Sequence, residues 1–525
     1  MKTLDLKLVR GIWRMRGQAF AIALVLAAAA ATFVLSQGVH HSLTVTRDAY
    51  YARNHYAEVF ADMTRAPRSV VARAAAIQGV ATAQGAIKQY ATLDFPDRAA
   101  PVRALINSVD EHGRGQLNLV VLRSGQMPRP GEAADVVVDE AFAKANGLTL
   151  GSPLTAEIYG RRQRLLVVGI GLAPNFIYAL APGEIIPDDR RFGVLWMGQQ
   201  ALEAVTGRAG AINSLSLTLV RGAREADVIR QLDALLAPYG GMGAYGRKDH
   251  LSHAFLDNEL TQLKAMTRVI PPVFLLVATL LVYVVLGRMI RTERTQVGLL
   301  KAFGYPGWTI GAHYLKFALA IALVATGIGV AAGVVMGRSM TALYAQYYRF
   351  PFLEYQIDPW VMLGAAGLVF GSAALGALGG ARSVARLEPA VAMAPAPPPI
   401  YRSGFAERLG RVAGLSATGS MIIRHIARWP GRSAVTTGGI AVSMALLFAT
   451  LQFLDSSRSM LESFFFRAQR QDLTVTFTEP RNLAGIHALA QIPGVLRAEP
   501  VRAAAVILRH GAASRRTAIE SVAPD

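Results

Sequence analysis

No grouping of side chains in this 525-residue chain has the spacing of a reactive centre. Nucleotide chemistry needs a glycine-rich loop closed by Lys and Ser or Thr, so that backbone amides cradle the phosphates. Gly337-Arg338-Ser339 and Gly431-Arg432-Ser433 lack both the lysine and the loop. An H-E-x-x-H helix and a G-x-S-x-G elbow are missing too. There is no cysteine, which removes disulfides, thiolate metal sites and thiol nucleophiles. Three polar clusters remain. His40-His41 and Asp110-Glu111-His112 read as solvated surface rather than metal ligands. Asp139-Glu140 reads as the acidic first turn of a helix rather than a carboxylate pair. The expectation is a chain with no catalytic residue, cofactor or metal.

One segment has the pattern of a binding surface. Arg291-Thr292-Glu293-Arg294-Thr295-Gln296-Val297-Gly298-Leu299-Leu300-Lys301-Ala302-Phe303-Gly304-Tyr305 lies between two apolar runs and mixes charged with apolar residues. It predicts a helix over Glu293–Tyr305 that stops at Gly304. A basic amphipathic hairpin has no role within lipid and can bind a soluble partner. The candidate contact residues are Arg291, Glu293, Arg294, Val297, Gly298, Leu299, Lys301 and Gly304. The plainer reading is a solvated loop.

The elements around this segment are set by hydropathy. The chain is 52% apolar, its mean hydropathy is +0.33, and the apolar residues are blocked into runs. Gln18–Leu35, Val269–Leu286, Phe317–Met336, Trp360–Ala381 and Ala434–Leu454 each suit a helix crossing ~30 Å of hydrocarbon. The first run is followed by Ser36-Gln37-Gly38, a poor cleavage site, and reads as an uncleaved anchor. The formal charge of +19 could mean nucleic acid, but the basic residues flank the apolar runs, which is the cytoplasmic bias of membrane proteins. No nucleic-acid partner is expected. Lys2, Lys7, Arg10, Arg14 and Arg16 place the N-terminus inside. Counting crossings then puts Arg288–Lys301 and Arg382–Arg432 inside as well, so parity and charge agree. No run holds an ionisable residue, which argues against an ion-coupled carrier. Gly329, Gly333 and Gly337, and Gly364, Gly367, Gly371, Ala374 and Gly379, suit close helix packing; a substrate pore is the sharper alternative.

The stretch His40–Lys264 then lies outside and reads as mixed α/β. Strands are expected at Glu58–Asp62, Ala86–Leu93, Leu117–Leu122, Asp135–Asp139 and Leu165–Ile170. Helices are expected at Ser69–Ile77 and Glu140–Asn146, the latter closed by Gly147. Leu251–Thr267 sets Leu256, Leu260 and Leu263 on one helical face and runs into the second span, as a rigid stalk would.

Residues 416–525 repeat residues 1–110 at an offset of about 415. Ala19 meets Ala434, Phe33 meets Phe448, Ala75 meets Ala490, and Ile77-Gln78-Gly79-Val80 meets Ile492-Pro493-Gly494-Val495. Trp13 and Trp429 mark the basic segment before each span. Ala394-Pro395-Ala396-Pro397-Pro398-Pro399 forms a semi-rigid linker between the copies. The second copy stops near the match to Asp110, where half an α/β domain could not bury its core. The expectation is one copy and a fraction of a two-copy protein of about 800 residues and about eight spans, judged by span length.

The segment Arg291–Tyr305 resembles the cytoplasmic motif of FtsX-like permeases, R-x-x-E-[IV]-G-x-L-K-A-[LF]-G. Ala381-Arg382-Ser383-Val384-Ala385-Arg386-Leu387-Glu388-Pro389-Ala390 resembles their second marker, A-x-x-x-A-x-x-x-P-A. Val136–Ile170 resembles the MacB-type periplasmic core domain. The resemblance implies an α-helical integral membrane protein with an α/β extracytoplasmic domain, multi-pass in the cell inner (plasma) membrane. The implied organisation is a cytoplasmic N-terminus and first span (1–39), the extracytoplasmic domain with its stalk (40–265), and a permease domain (266–392) with a coupling segment at 288–315. A Pro-rich linker (393–432), a fifth span (433–455) and the start of a second extracytoplasmic domain (456–525) follow. It further implies the permease subunit of an ABC-type export or extraction complex. A separate cytoplasmic ABC ATPase dimer would dock on the coupling segment, membrane lipids would surround the spans, and a periplasmic, lipid or lipoprotein substrate would be moved. The alternative is a membrane sensor or scaffold that regulates an extracytoplasmic hydrolase or ligand and moves nothing.

Overall fold

In lipid, an uncharged run of Ala, Leu, Val and Gly can satisfy its backbone polar groups only within its own helical turns. The computed structural model describes residues 3–521 apart from 96–97, 99–100, 112–114, 183, 185, most of 394–429, 469, 476, 478–480 and 511–512. The predicted linker Ala394–Pro399 and the terminal Ala523-Pro524-Asp525 lie outside the described residues. A short amphipathic helix, α1 (Thr3–Arg14), precedes α2 (Arg16–Arg53). Among the described residues five helices are long and apolar enough to cross a membrane. They are α2, α7 (Leu251–Thr292), α9 (Gly307–Tyr347), α10 (Pro359–Arg386) and α12 (Pro430–Glu462). Each contains one predicted apolar run, and the chain is a helical membrane protein with an α/β domain.

The described chain divides into two compact units, residues 1–48, 257–346 and 352–468, and residues 49–256, 347–351 and 469–525. The core of the first joins Leu26, Ala27 and Ala30 of α2, Val282 and Leu286 of α7, Phe317 and Ala322 of α9, and Val369 and Ala377 of α10. Small residues make the contacts close. A Cβ on Gly333 would lie 2.7 Å from Val34 Cβ and 2.8 Å from Ala31 O, and one on Gly376 2.6 Å from Thr279 O. The Thr279 and Ser372 hydroxyls bond across α7 and α10 at 2.7 Å. These glycines therefore pack helix on helix, as small-residue faces do in lipid.

The second unit holds two sheets. The smaller runs β11-β1-β10-β2, from β1 (Val59–Pro67), β2 (Val80–Ala86), β10 (Ala211–Leu219) and β11 (Gly241–Gly246). Its core includes Val70 and Ala74 of α3 (Ser69–Ala75) and Val228 and Leu232 of α6 (Glu225–Leu236). The larger runs β5-β8-β6-β9-β4-β3-β7, from β3 (Lys88–Asp94), β4 (Val102–Val109), β5 (Val121–Gly125), β6 (Asp135–Asp139), β7 (Pro153–Ile158), β8 (Arg161–Leu172) and β9 (Phe192–Gly198). The first half of β8 pairs with β7 and the second half with β6, so six strands close into a ring, and β5 remains as a short edge strand on β8. The run Val136-Val137-Val138 is buried on both faces: Val136 and Val138 in one cluster, Val137 in another. That explains its unbroken apolar pattern. The strand expected at Leu117–Leu122 is shifted to β5. The Asn118 and Leu119 amides are spent on His55 O and Asn54 O, at 3.0 Å each, instead of on a ladder.

The repeat is visible in the backbone. The helix α13 (Ala484–Ala490) falls 415 residues after α3. The Ala76 amide bonds to Ala72 O and the Ile77 amide to Ala74 O, and the Gln491 amide to His487 O and the Ile492 amide to Leu489 O, at the same offset. Gly79 and Gly494 take φ of 96° and 95°, a conformation that favours glycine. The strand β12 (Ala503–His510) matches the position of β3, and it pairs antiparallel with β13 (Ala513–Glu520) as β3 pairs with β4.

Candidate functional site

The segment after α7 forms α8 (Arg294–Ala302), shorter than the expected Glu293–Tyr305. Its end is set by Gly304, whose φ of +86° is open to glycine. The Tyr305 amide reaches back to Leu300 O at 3.1 Å and the Gly304 amide to Lys301 O at 3.0 Å, the paired bonds of a Schellman stop. Pro306 cannot continue the helix, and α9 begins at Gly307.

The two sequence markers meet in space. After α10 comes α11 (Pro389–Met393), and it lies on α8. A Cβ on Gly298 would meet Ala392 Cβ at 2.9 Å and Met393 Cγ at 3.0 Å. Ala381 and Ala385 of α10 face α9: a Cβ on Gly307 would be 2.9 Å from Ala385 O, and one on Gly311 3.1 Å from Ala381 O. The spaced alanines and glycines are thus the close-approach faces of one hairpin.

Most of the predicted contact residues point into this hairpin. Val297 is fully buried and Gly298 is covered by α11. The Arg294 guanidinium donates to Val391 O. The Lys301 ammonium donates to Ala385 O at 3.0 Å and Leu387 O at 2.5 Å, neutralising the carbonyl end of α10. Glu293 accepts from the Tyr314 hydroxyl at 3.0 Å and pairs with Lys7 of α1 at 3.2 Å. Arg291, Leu299 and Gly304 are exposed. Beside the exposed polar residues Arg291, Thr295 and Gln296, the outside carries a group of apolar ones: Leu299, Tyr305, Phe303 at 72% exposure and Trp308 at 75%. The aromatic residues bracketing the Gly304 turn were absent from the predicted set. Their signal is the spacing Phe303, Tyr305, Trp308 around Gly-x-Pro-Gly, where aromatic side chains cannot all turn inward.

The predicted stalk residues Leu256, Leu260 and Leu263 are buried, and the Tyr344 hydroxyl of α9 donates to Glu259 of the same helix α7. The polar clusters are structural. Glu111 accepts the Gln200 amide at 2.9 Å, capping α5 (Gln199–Thr206), and His112 lies outside the described residues. Asp139 is the N-cap of α4 (Glu140–Ala145) and accepts the Phe142 amide at 3.3 Å, while Glu140 pairs with Arg123. Burial pushes the Asp139 carboxyl up to about 6, against the pull of the Arg349 guanidinium. His41 lies 3.9 Å from Asp358, and among the described residues no group of three metal-binding side chains occurs.

Residues 268–389 match the family model of the FtsX-like permease C-terminal region. No curated protein matches the chain. Among solved structures, the extracellular domain of the noncanonic ABC-type transporter YknZ from Gram-positive bacteria is similar at 10% identity and a TM-score of 0.25, over 35% of this chain and 97% of that one. The periplasmic region of MacB from Actinobacillus actinomycetemcomitans is similar at 10% identity and a TM-score of 0.25, over 40% of this chain and 94% of that one.

Proposed function

We propose that this chain, which belongs to the FtsX-like permeases through residues 268–389, is the transmembrane subunit of an ABC-type export or extraction complex. It hydrolyses nothing itself; a separate cytoplasmic ATPase dimer supplies the energy. The observation that carries the reading is the apolar cap of Leu299, Phe303, Tyr305 and Trp308, held on a turn whose charged neighbours are bonded inward. An exposed apolar group with a rigid base, at the end of membrane helices, is suited to insertion into a groove of a soluble partner. Charged residues Glu293, Arg294 and Lys301 hold the hairpin together; the aromatic side chains make the contact.

The N-terminus and this hairpin are cytoplasmic in this reading, by the excess of Lys and Arg beside them, and the membrane is the cell inner membrane. Motion of the hairpin passes along α7 into the α/β unit, since α7 is one continuous helix over Leu251–Thr292. The domain division 40–265 and 266–392 follows that path. The test is purification of the full chain from its native membrane with any P-loop ATPase identified by mass spectrometry. Retention of such an ATPase by wild type and its loss from Phe303→Asp/Trp308→Asp is the expected result. Equal retention by the double variant refutes the assigned contact, and no ATPase with either protein favours the sensor or scaffold.

A further inference from the structure

The segment Tyr347–Pro351 starts at the last residue of α9 and runs toward α10, inside the permease match, yet it folds with the α/β unit. Its amide and side chains explain why. The Arg349 amide donates to Ile177 O at 2.8 Å. Its guanidinium, only 5% exposed, reaches Asp139 Oδ2 at 3.1 Å through Nη1 and Asp189 through Nη2. Tyr348 packs against Tyr178 with ring centroids 5.5 Å apart, and Phe350 meets Tyr50 edge-on at 6.2 Å. All three side chains are buried.

The place where Arg349 lands is mechanically central. Asp139 ends β6, a strand inside the closed ring, and begins α4 as its N-cap. On the Asp139 side the guanidinium and the carboxylate are both buried, as an ion-pair contact with little water to replace it, whereas Asp189 is 28% exposed. Arg349 follows the last residue of α9, Tyr347, by two positions, so little slack separates that helix from the tie, whereas seven residues lie between Pro351 and α10.

We propose that Arg349 is a positioning residue that makes the α9–α10 connection a second transmission point into the α/β unit, acting on the β6–α4 junction separately from α7. What drives α9 and α10 rests on the permease reading; the tie itself does not.

Hydrogen exchange on the full chain in lipid nanodiscs, with no ATPase present, tests it. Arg349→Met is expected to raise exchange at 347–351 and at 139–142 on the order of a hundredfold. The same variant should also speed exchange in the last turn of α9, and less in the first turn of α10, which starts seven residues beyond Pro351. Phe142→Leu weakens the same α/β core without touching Arg349, and it should leave those helix ends as in wild type. Arg349→Lys keeps the charge without the fork and should fall between. Should Arg349→Met not fold, Asp189→Asn removes one partner near the surface and should give the same pattern, smaller. Helix ends unchanged in Arg349→Met, or loosened equally by Phe142→Leu, overturn the proposal. Failure of the permease reading would show only at the Phe303 and Trp308 face and leave this exchange pattern intact.

Discussion

Replacing Gly329 by alanine should destabilise the protein although alanine is the better helix former. Gly329 of α9 lies against α2, where an added Cβ would sit 2.6 Å from both Ala27 O and Ala30 Cβ. Ordinary contact needs about 3.5 Å, so the helices would have to part by roughly 0.9 Å. A gap of that size forfeits about a quarter to a half of the dispersion attraction of the facing atoms. Gly333, one turn on, approaches Val34 and Ala31 as closely and loses its contacts with it. Helix propensity returns about 1 kcal/mol, against an overpacking cost of ~1–3 kcal/mol enlarged by the shared seam. The net expectation is a loss of about 1–2 kcal/mol. Gly327, in the same helix with nothing within 4 Å, is the control. Thermal unfolding of the full chain in nanodiscs should show Gly329→Ala melting a few degrees below wild type and Gly327→Ala at or above it. If Gly329→Ala melts no lower than Gly327→Ala, the seam is not close-packed and the argument fails.

Gly298→Val should push α11 off α8, because its first carbon already meets Ala392, Met393 and the Pro389 carbonyl within 3.4 Å; faster tryptic cleavage at Arg386 would register it, and an unchanged rate would contradict it. Glu293→Gln should cost under about 1 kcal/mol, since the Lys7 pair is partly exposed, whereas Glu293→Leu strands the Tyr314 hydroxyl and should cost about 1–3 kcal/mol; exchange of the α8 amides ranks the two. His250 packs on Phe60 at 4.5 Å between ring centroids, and burial with Lys88 nearby pushes its pKa down to about 3. A folded value below the unfolded one means the stability is full above about pH 6.5 and is lost as pH falls towards 3. His250→Phe should therefore remove part of the acid sensitivity between pH 6.5 and 4, and denaturant titrations that superimpose with wild type in their pH slope would refute this.

Much of the membrane part was legible because lipid leaves a chain few choices. Uncharged runs became helices, and Gly329, Gly333 and Gly337 became a contact face; on α10, Gly367 and Gly371 meet nothing within 4 Å, and Gly376 and Gly380 make close contacts instead. The stop at Gly304 was legible from its residue type. The direction of side chains around α8 was not. Arg294 and Lys301 have the composition of a charged docking face, but their partners are carbonyls of α10 and α11, some ninety residues away in sequence. The seven-stranded sheet was only partly legible. Central strands such as Val136–Val138 advertise themselves by double burial, while β9 depends on β4 and β6, which are distant in the chain; β7 was missed although a tight turn joins it to β8. The Arg349 tie was invisible for the same reason: an arginine after an apolar run looks like an interfacial charge until the fold brings Asp139 and Asp189 to it.

If the exposed aromatic turn touches an ATPase, the contact can be captured covalently. The chain contains no cysteine, so Phe303→Cys and Trp308→Cys each provide a unique thiol for a short cross-linker in native membranes. Trp13→Cys, exposed on α1, is the comparison. Covalent adducts with one P-loop ATPase, identified by its cross-linked peptide, are expected at 303 and 308, their yield changing when ATP is added, and none at 13. Adducts with no ATPase at 303 and 308, in membranes where one is present and cross-linkable, would contradict that contact.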